Sequence, residues 1–187
     1  MRPHEFVLLA METMGGQVQG RTLLQKCVYF LAMLTDNLPL LDYGPHYYGP
    51  YSGIVSDAVG ALRSLGFVDE RRVGLGMSDR SGFEMARHDY SLTADGKKIA
   101  ALKRQQHPKL SKQLQEAWGA IEKAGVLDYM TLSVAAKIHH ILREVDAPIT
   151  RSDVWQAAEK LGWSLRPDQA AAERFLMKLG LIEVQSE

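Results

Sequence analysis

The sequence predicts a mainly α-helical fold with a small β-hairpin, and three observations carry that prediction. Leu62-Arg63-Ser64-Leu65-Gly66-Phe67-Val68 reads as a helix that ends at Leu-Gly and runs straight into a short apolar strand. Further on, Tyr90-Ser91-Leu92-Thr93-Ala94-Asp95-Gly96 reads as a returning strand that stops at Thr-x-x-Gly and starts a new helix. Elsewhere apolar residues recur three and four apart, the period of a helix with one buried face.

Taken in order, Phe6, Leu8, Leu9 and Met11 fit a first helix closed by Gly15-Gly16. Thr22 is placed to cap the next, with Gln25 three positions on as in a capping box. Leu23, Leu24, Cys27, Val28, Phe30, Leu31 and Leu34 cover so much of that helix that it must be buried on most sides. An insert over 35–51 follows, where Pro39, Gly44, Pro45, Gly49 and Pro50 forbid a long regular element. Ser52 caps a third helix with Ile54, Val55, Ala58, Val59, Leu62 and Leu65 on one face. Phe67–Val73 and Phe83–Leu92 form the hairpin, with a Gly- and Ser-rich tip. Asp95–Gln106 is helical, Pro108 interrupts, and Leu110–Ala124 makes another helix. Leu132–Val145, a helix from Thr150 or Ser152 to Leu161, and a last helix with Pro167 in its first turn complete the chain.

At an offset of 114, Leu62, Leu65 and Gly66 match Leu176, Leu179 and Gly180. Arg151-Ser152-Asp153-Val154 echoes Arg21-Thr22-Leu23-Leu24 at another offset. Two related units follow from this reading, 1–106 and 107–187, the second without a hairpin. Chance recurrence of a common helix ending is the alternative.

The 187 residues suffice for one large domain or two small ones, and 46% apolar with 24% charged residues is ordinary globular composition. No run approaches the roughly 20 apolar residues of a membrane span. Glu5 falls where a signal peptide would begin its apolar core, and a single cysteine excludes an internal disulfide framework. The cytoplasm is the expected compartment. A formal net charge of zero counts against a globally basic nucleic-acid binder, although 101–125 holds five Lys or Arg against two Glu.

Arg21-Thr22-Leu23-Leu24-Gln25-Lys26-Cys27-Val28-Tyr29-Phe30-Leu31 followed by Tyr48-Gly49-Pro50-Tyr51-Ser52 resembles the small bacterial and archaeal proteins grouped as YwgA-like. The pattern is more distantly similar to the Panacea domain of antitoxins and proteolysis adaptors, which shares the Gln-Lys, Tyr and Gly-Pro marks. The match covers residues 15–70 well and the rest in outline. The helix–strand and strand–helix pair resembles a winged helix-turn-helix, so the expected fold is that unit plus a helical C-terminal unit of helix-turn-helix type. The Panacea likeness implies a protein-binding role and the winged helix a DNA-binding one; neither implies catalysis.

For DNA, the expected contacts are Ser52, Ser56 and Arg63 on the third helix and Arg71, Arg72, Arg80 and Arg87 on the wing, where an arginine enters a minor groove. Asp57 on the same helix repels phosphate, and the wing arginines are interleaved with Asp69, Glu70, Asp79, Glu84 and Asp89, so a solvated hairpin is the plain alternative. For a protein partner, Gln25, Tyr29, His46, Tyr47, Tyr48 and Tyr51 make an aromatic, partly polar cluster. The alternative is structural: the Gly-Pro turn reverses the chain and the tyrosines cover the buried helix. Cys27 reads as a small buried hydrophobe. His139 and His140 diverge by about 100° on a helix and cannot face one metal. No metal, cofactor or catalytic motif is expected, and Leu102–Ala124 is the expected homodimer contact. DNA-binding regulation is the leading expectation, an adaptor or antitoxin-like module the second.

Overall fold

The computed structural model describes residues 1–78, 84–125, 128–145, 148–166 and 168–183, without the side chains of 77, 78, 84 and 85. Described in chain order are α1 (Pro3–Thr13), β1 (Gln17–Gln19), α2 (Arg21–Leu34), α3 (Gly53–Ser64), β2 (Val68–Ser78), β3 (Glu84–Leu92), α4 (Ala94–Gln106), α5 (Pro108–Ala124), α6 (Tyr129–Arg143), α7 (Arg151–Lys160) and α8 (Gln169–Lys178). The chain is mainly helical, with a small antiparallel sheet in the order β1-β3-β2.

Strand β1 escapes the sequence pattern because it is three residues long and follows two glycines. Only Val18 turns inward, while Gln17 and Gln19 face solvent. It pairs Gln17 with Ser91 and Gln19 with Asp89, so β3 becomes the central strand. Two helix starts also differ from expectation. Gly20, not Thr22, is the N-cap of α2; glycine has no side chain to cap with, and the Gln25 side chain is spent on Ser52. Pro108 opens α5 at its first position, where its missing N–H leaves no bond unmade, so it starts a helix as well as ending one. Pro167 and the hairpin tip, including Arg80, lie outside the described residues.

Helix α1 is buried nearly all round, from Phe6 to Met11, by packing against α3, α4 and α5. Helix α2 lies across α6 and α5. The core passes between the 1–106 and 107–187 stretches without a break: Phe30 meets Phe175 edge-to-face at 5.1 Å, and Tyr29 meets His139 at 5.8 Å. Leu114, Ala117, Ile121 and Ala124 point inward, so the apolar stripe of the expected dimer helix is spent inside the chain and Leu102 alone stands exposed.

The recurrence at Leu62 and Leu176 has a local cause. Phe67 N–H donates to the Leu62 carbonyl and Leu181 N–H to that of Leu176, each past a glycine at positive φ. The same six-residue closure ends α1 at Gly16 and α7 at Trp163. It is a Schellman cap, which turns on a left-handed residue and often carries an apolar contact just beyond it, and helices of unrelated descent converge on it.

Thr93 caps α4 by accepting from Gly96 N–H at 2.9 Å, while its hydroxyl donates to the Gly66 carbonyl at 2.7 Å. The helix start therefore lies directly on the end of α3, and a Cβ at Gly96 would sit 2.0 Å from the Phe67 carbonyl oxygen. Gly96→Ala is expected to lose on the order of 2–4 kcal/mol. Gly60→Ala, in the middle of α3 with open space around it, is expected to be neutral or to gain up to about 1 kcal/mol. Equal urea midpoints for the two variants would show that the Thr-x-x-Gly start has no such steric role.

Candidate functional site

The polar face of α2 organises the insert. Gln25 reads Ser52 as a backbone partner would: its Nε2 donates to the Ser52 carbonyl at 2.9 Å and its Oε1 accepts from Ser52 N–H at 3.1 Å. Ser52 itself is fully buried; its hydroxyl accepts from Val55 N–H and donates to the Leu41 carbonyl. Lys26, 2% exposed, donates to the Pro50 carbonyl at 2.6 Å. Tyr29 hydrogen-bonds His139 Nδ1 at 2.9 Å, and Tyr43 donates to the Gln25 carbonyl. On the far side, Trp163 donates to the His46 carbonyl at 2.6 Å. Gly49 is required twice, by its φ of +93° and because a Cβ would lie 2.9 Å from Lys137 Cγ. The insert is thus clamped from both sides.

This corrects part of the expected partner surface. Gln25 and Tyr29 are buried and serve the chain's own architecture. Tyr43 and half-buried Tyr51 cover α2 and α3, as the structural alternative has it, and Tyr51 shares a hydrogen bond with Ser56. Tyr47 and Tyr48 do not: they stand 74% and 55% exposed, edge-to-face with each other. His46 is exposed and lies against Tyr51. Between His46–Tyr51, the start of α2, the hairpin at Leu75 and Ala86–His88, and Tyr129 lies a groove of about 660 Å³, with Lys26 in its wall. That is the size of small-ligand and peptide sites.

The expected DNA surface fares less well. Buried Ser52 is no phosphate contact, and Ser56 is half-buried between Gln25 and Tyr51. Arg63 is held by Glu70 at 2.6 Å; Glu70 also receives His88 at 2.6 Å, the Tyr90 hydroxyl at 3.2 Å and Arg21 at 3.6 Å. Burial pushes the Glu70 carboxyl up, but the His88 hydrogen bond, Arg63 and Tyr90 outweigh it and hold the group below its usual value. Arg87 grips Asp89 with two hydrogen bonds of 2.7 and 3.0 Å, and that grip, with Arg71 at 3.7 Å, lowers the Asp89 pKa. Arg71 remains 80% exposed, and Arg72 is exposed beside it.

Sequence reasoning saw the Gln-Lys-Tyr series but not that Lys26 is buried and that among the described residues no acid pairs with it. The signal was a lysine amid apolar neighbours on a helix already judged buried on most sides. Burial, with Lys137 nearby, brings the Lys26 pKa down to about 7 from 10.5. His139 and His140 face different neighbours, Tyr29 and the Trp163 ring. Burial, then Arg143 and His140, push His139 down to about 4 from 6.5, while burial lifts the Tyr29 hydroxyl to about 12. Both groups are therefore neutral at pH 7, so one hydrogen joins them. Cys27 is buried and its thiol pushed up to about 12, an unreactive core residue. Among the described residues no three His, Cys, Asp or Glu gather as a metal site, and no helix is long and apolar enough to cross a membrane.

The signs of these shifts set a stability profile. His139 takes up a proton more readily unfolded than folded, so stability is lost as pH falls from about 6.5 towards 4. Lys26 does the same in its own window, so stability rises as pH climbs from about 7 towards 10. Calorimetry should find the melting temperature rising through both windows. In a Tyr29→Phe/His139→Leu double variant the lower rise should shrink to the part left by His140, which burial also lowers; an undiminished rise would remove His139 as a cause. Comparison with known proteins matches the chain to no family model and to no curated protein.

Proposed function

We propose that the chain is a protein-interaction module of the adaptor or antitoxin-like kind, which grips a segment of a partner protein in the groove beside the insert. One observation carries this reading: Tyr48 and Tyr129 stand exposed at a groove whose wall is already clamped by Lys26 and Trp163. Rings held in water on a fixed frame lose little entropy on binding and are the usual anchors of interfaces. The likeness of the Gln-Lys, Tyr and Gly-Pro pattern to the Panacea domain points the same way.

A second reading is favoured by one specific observation. The order α1-β1-α2-α3-β2-β3 supports a winged helix-turn-helix reading, in which α3 would be the recognition helix and β2–β3 the wing. Duplex DNA would then meet Arg71 and Arg72 on the wing. It ranks second because Glu70 and Asp89 already occupy Arg63 and Arg87, and releasing an arginine from a charge-assisted pair offsets what a phosphate contact contributes.

A photo-crosslinking residue at position 48, and separately at 71, distinguishes the two readings in cells that express the chain. Adducts to protein from position 48 are expected, with Tyr48→Ala weakening the purified complex by roughly tenfold to a hundredfold and moderate salt changing it little. Adducts to DNA from position 71, with sub-micromolar and steeply salt-dependent binding of a random duplex, would replace this reading with the second.

A further inference from the structure

We infer that the segment taken by the groove is acidic, with a carboxylate that passes between Arg21 and Arg87 to reach the Lys26 ammonium. The inference rests on the protein-partner reading and adds the ligand's chemistry to it. The groove wall holds Arg21, Lys26 and Arg87 together with His46 and His88, and among the described residues it holds no Asp or Glu. Not all of this charge is available. Arg87 is spent on Asp89, and Arg21 leans on the Tyr90 hydroxyl with Glu70 at 3.6 Å. Both are partly exposed, and their part is to draw an anion in rather than to bind it strongly.

Lys26 differs. Among the described residues the groups that face it are Lys137 and His140 from α6 and the Pro50 carbonyl from the insert, and none is an acid. Lys137 is likewise buried, with the Ser164 carbonyl as its acceptor. A buried cation ordinarily has a carboxylate beside it, since attraction must offset lost hydration. Here two buried lysines flank the Gly49–Pro50 turn, and among the described residues carbonyl oxygens alone accept from them. A ligand carboxylate would supply the missing charge. The start of α2 adds little to the field, since its N-cap is Gly20 and the Gly20 N–H is already taken by the Asp89 carboxylate. Tyr48, Tyr129 and Leu75 beside these cations suit apolar residues interspersed with the acids.

Because burial holds Lys26 near pH 7, an arriving carboxylate restores its proton, and binding takes up a proton from solution. The probes are fluorescein-labelled hexaglutamate, hexaglutamine and hexalysine, titrated by anisotropy into the whole chain. Hexaglutamate should bind at least about tenfold more tightly than hexaglutamine, and Tyr48→Ala and Arg21→Gln should each weaken it severalfold. Its affinity should fall roughly tenfold between about pH 7 and pH 8.5. Lys26→Met should abolish that pH dependence. Since the variant also loses the Pro50 bond, side-chain NMR of Lys26 in the unaltered chain gives a second reading, its titration moving upward when hexaglutamate saturates. Equal binding of hexaglutamine overturns the acidic ligand and leaves the groove as a protein site. No binding of any peptide, with protein adducts still formed from position 48, also overturns it alone. Loss of those adducts removes the partner reading beneath it. Displacement of hexaglutamate by lower concentrations of random duplex DNA would assign the cations to nucleic acid.

Discussion

The hydrogen-bonded seam between Gln25 and Ser52 is the constraint on which the site depends. Both atoms of the Gln25 amide are used on the backbone of one residue, and that residue caps α3. A buried amide satisfied at both ends costs little, whereas one left half-paired would cost on the order of 1–3 kcal/mol. The seam therefore admits one register of the insert against α2. Lys26 on Pro50 and Tyr29 on His139 extend the same logic along the helix, and through them α6 bears on the insert that the groove is cut from.

Two carboxylates set the electrostatics around the groove. Glu70 and Asp89 stand on neighbouring strands and gather Arg21, Arg63, Arg71, Arg87 and His88 between them. A surface that looks basic by composition is largely self-neutralised, and the mutual pairs screen it further. The hairpin is in this sense the solvated, mixed-charge element that its sequence also allowed. What is left uncompensated lies deeper, at Lys26 and Lys137, where among the described residues no partner of opposite sign shares the space.

The same physics explains why the halves looked alike. Leu-Gly followed by an apolar residue closes α3, α7 and α8, and the same hydrogen bond recurs at α1, where Gly15-Gly16 stands instead. A local requirement for positive φ and one apolar contact is enough to produce such a match. The two stretches meet in one core through Phe30 and Phe175, a contact between residues far apart in sequence.

Much of the fold was legible from periodicity. The apolar spacing of 23–34 and 54–65, the Leu-Gly endings and the Thr93-x-x-Gly96 start are local signals, and each marks its element within a few residues. Strand β1 was not legible, because three residues carry no period and its pairing partner lies more than seventy positions away. Nor was the split among the tyrosines: Tyr43 and Tyr51 turn inward while Tyr47 and Tyr48 face water, on a segment without regular structure. The chain by itself determined which stretches coil and where they stop, since those depend on neighbours within one helical turn. Only the tertiary structure decided that Gln25 and Tyr29 are architecture, that Arg63 and Arg87 are already paired, and that Lys26 is buried with no acid beside it among the described residues. Each of those depends on what a distant element places opposite the side chain.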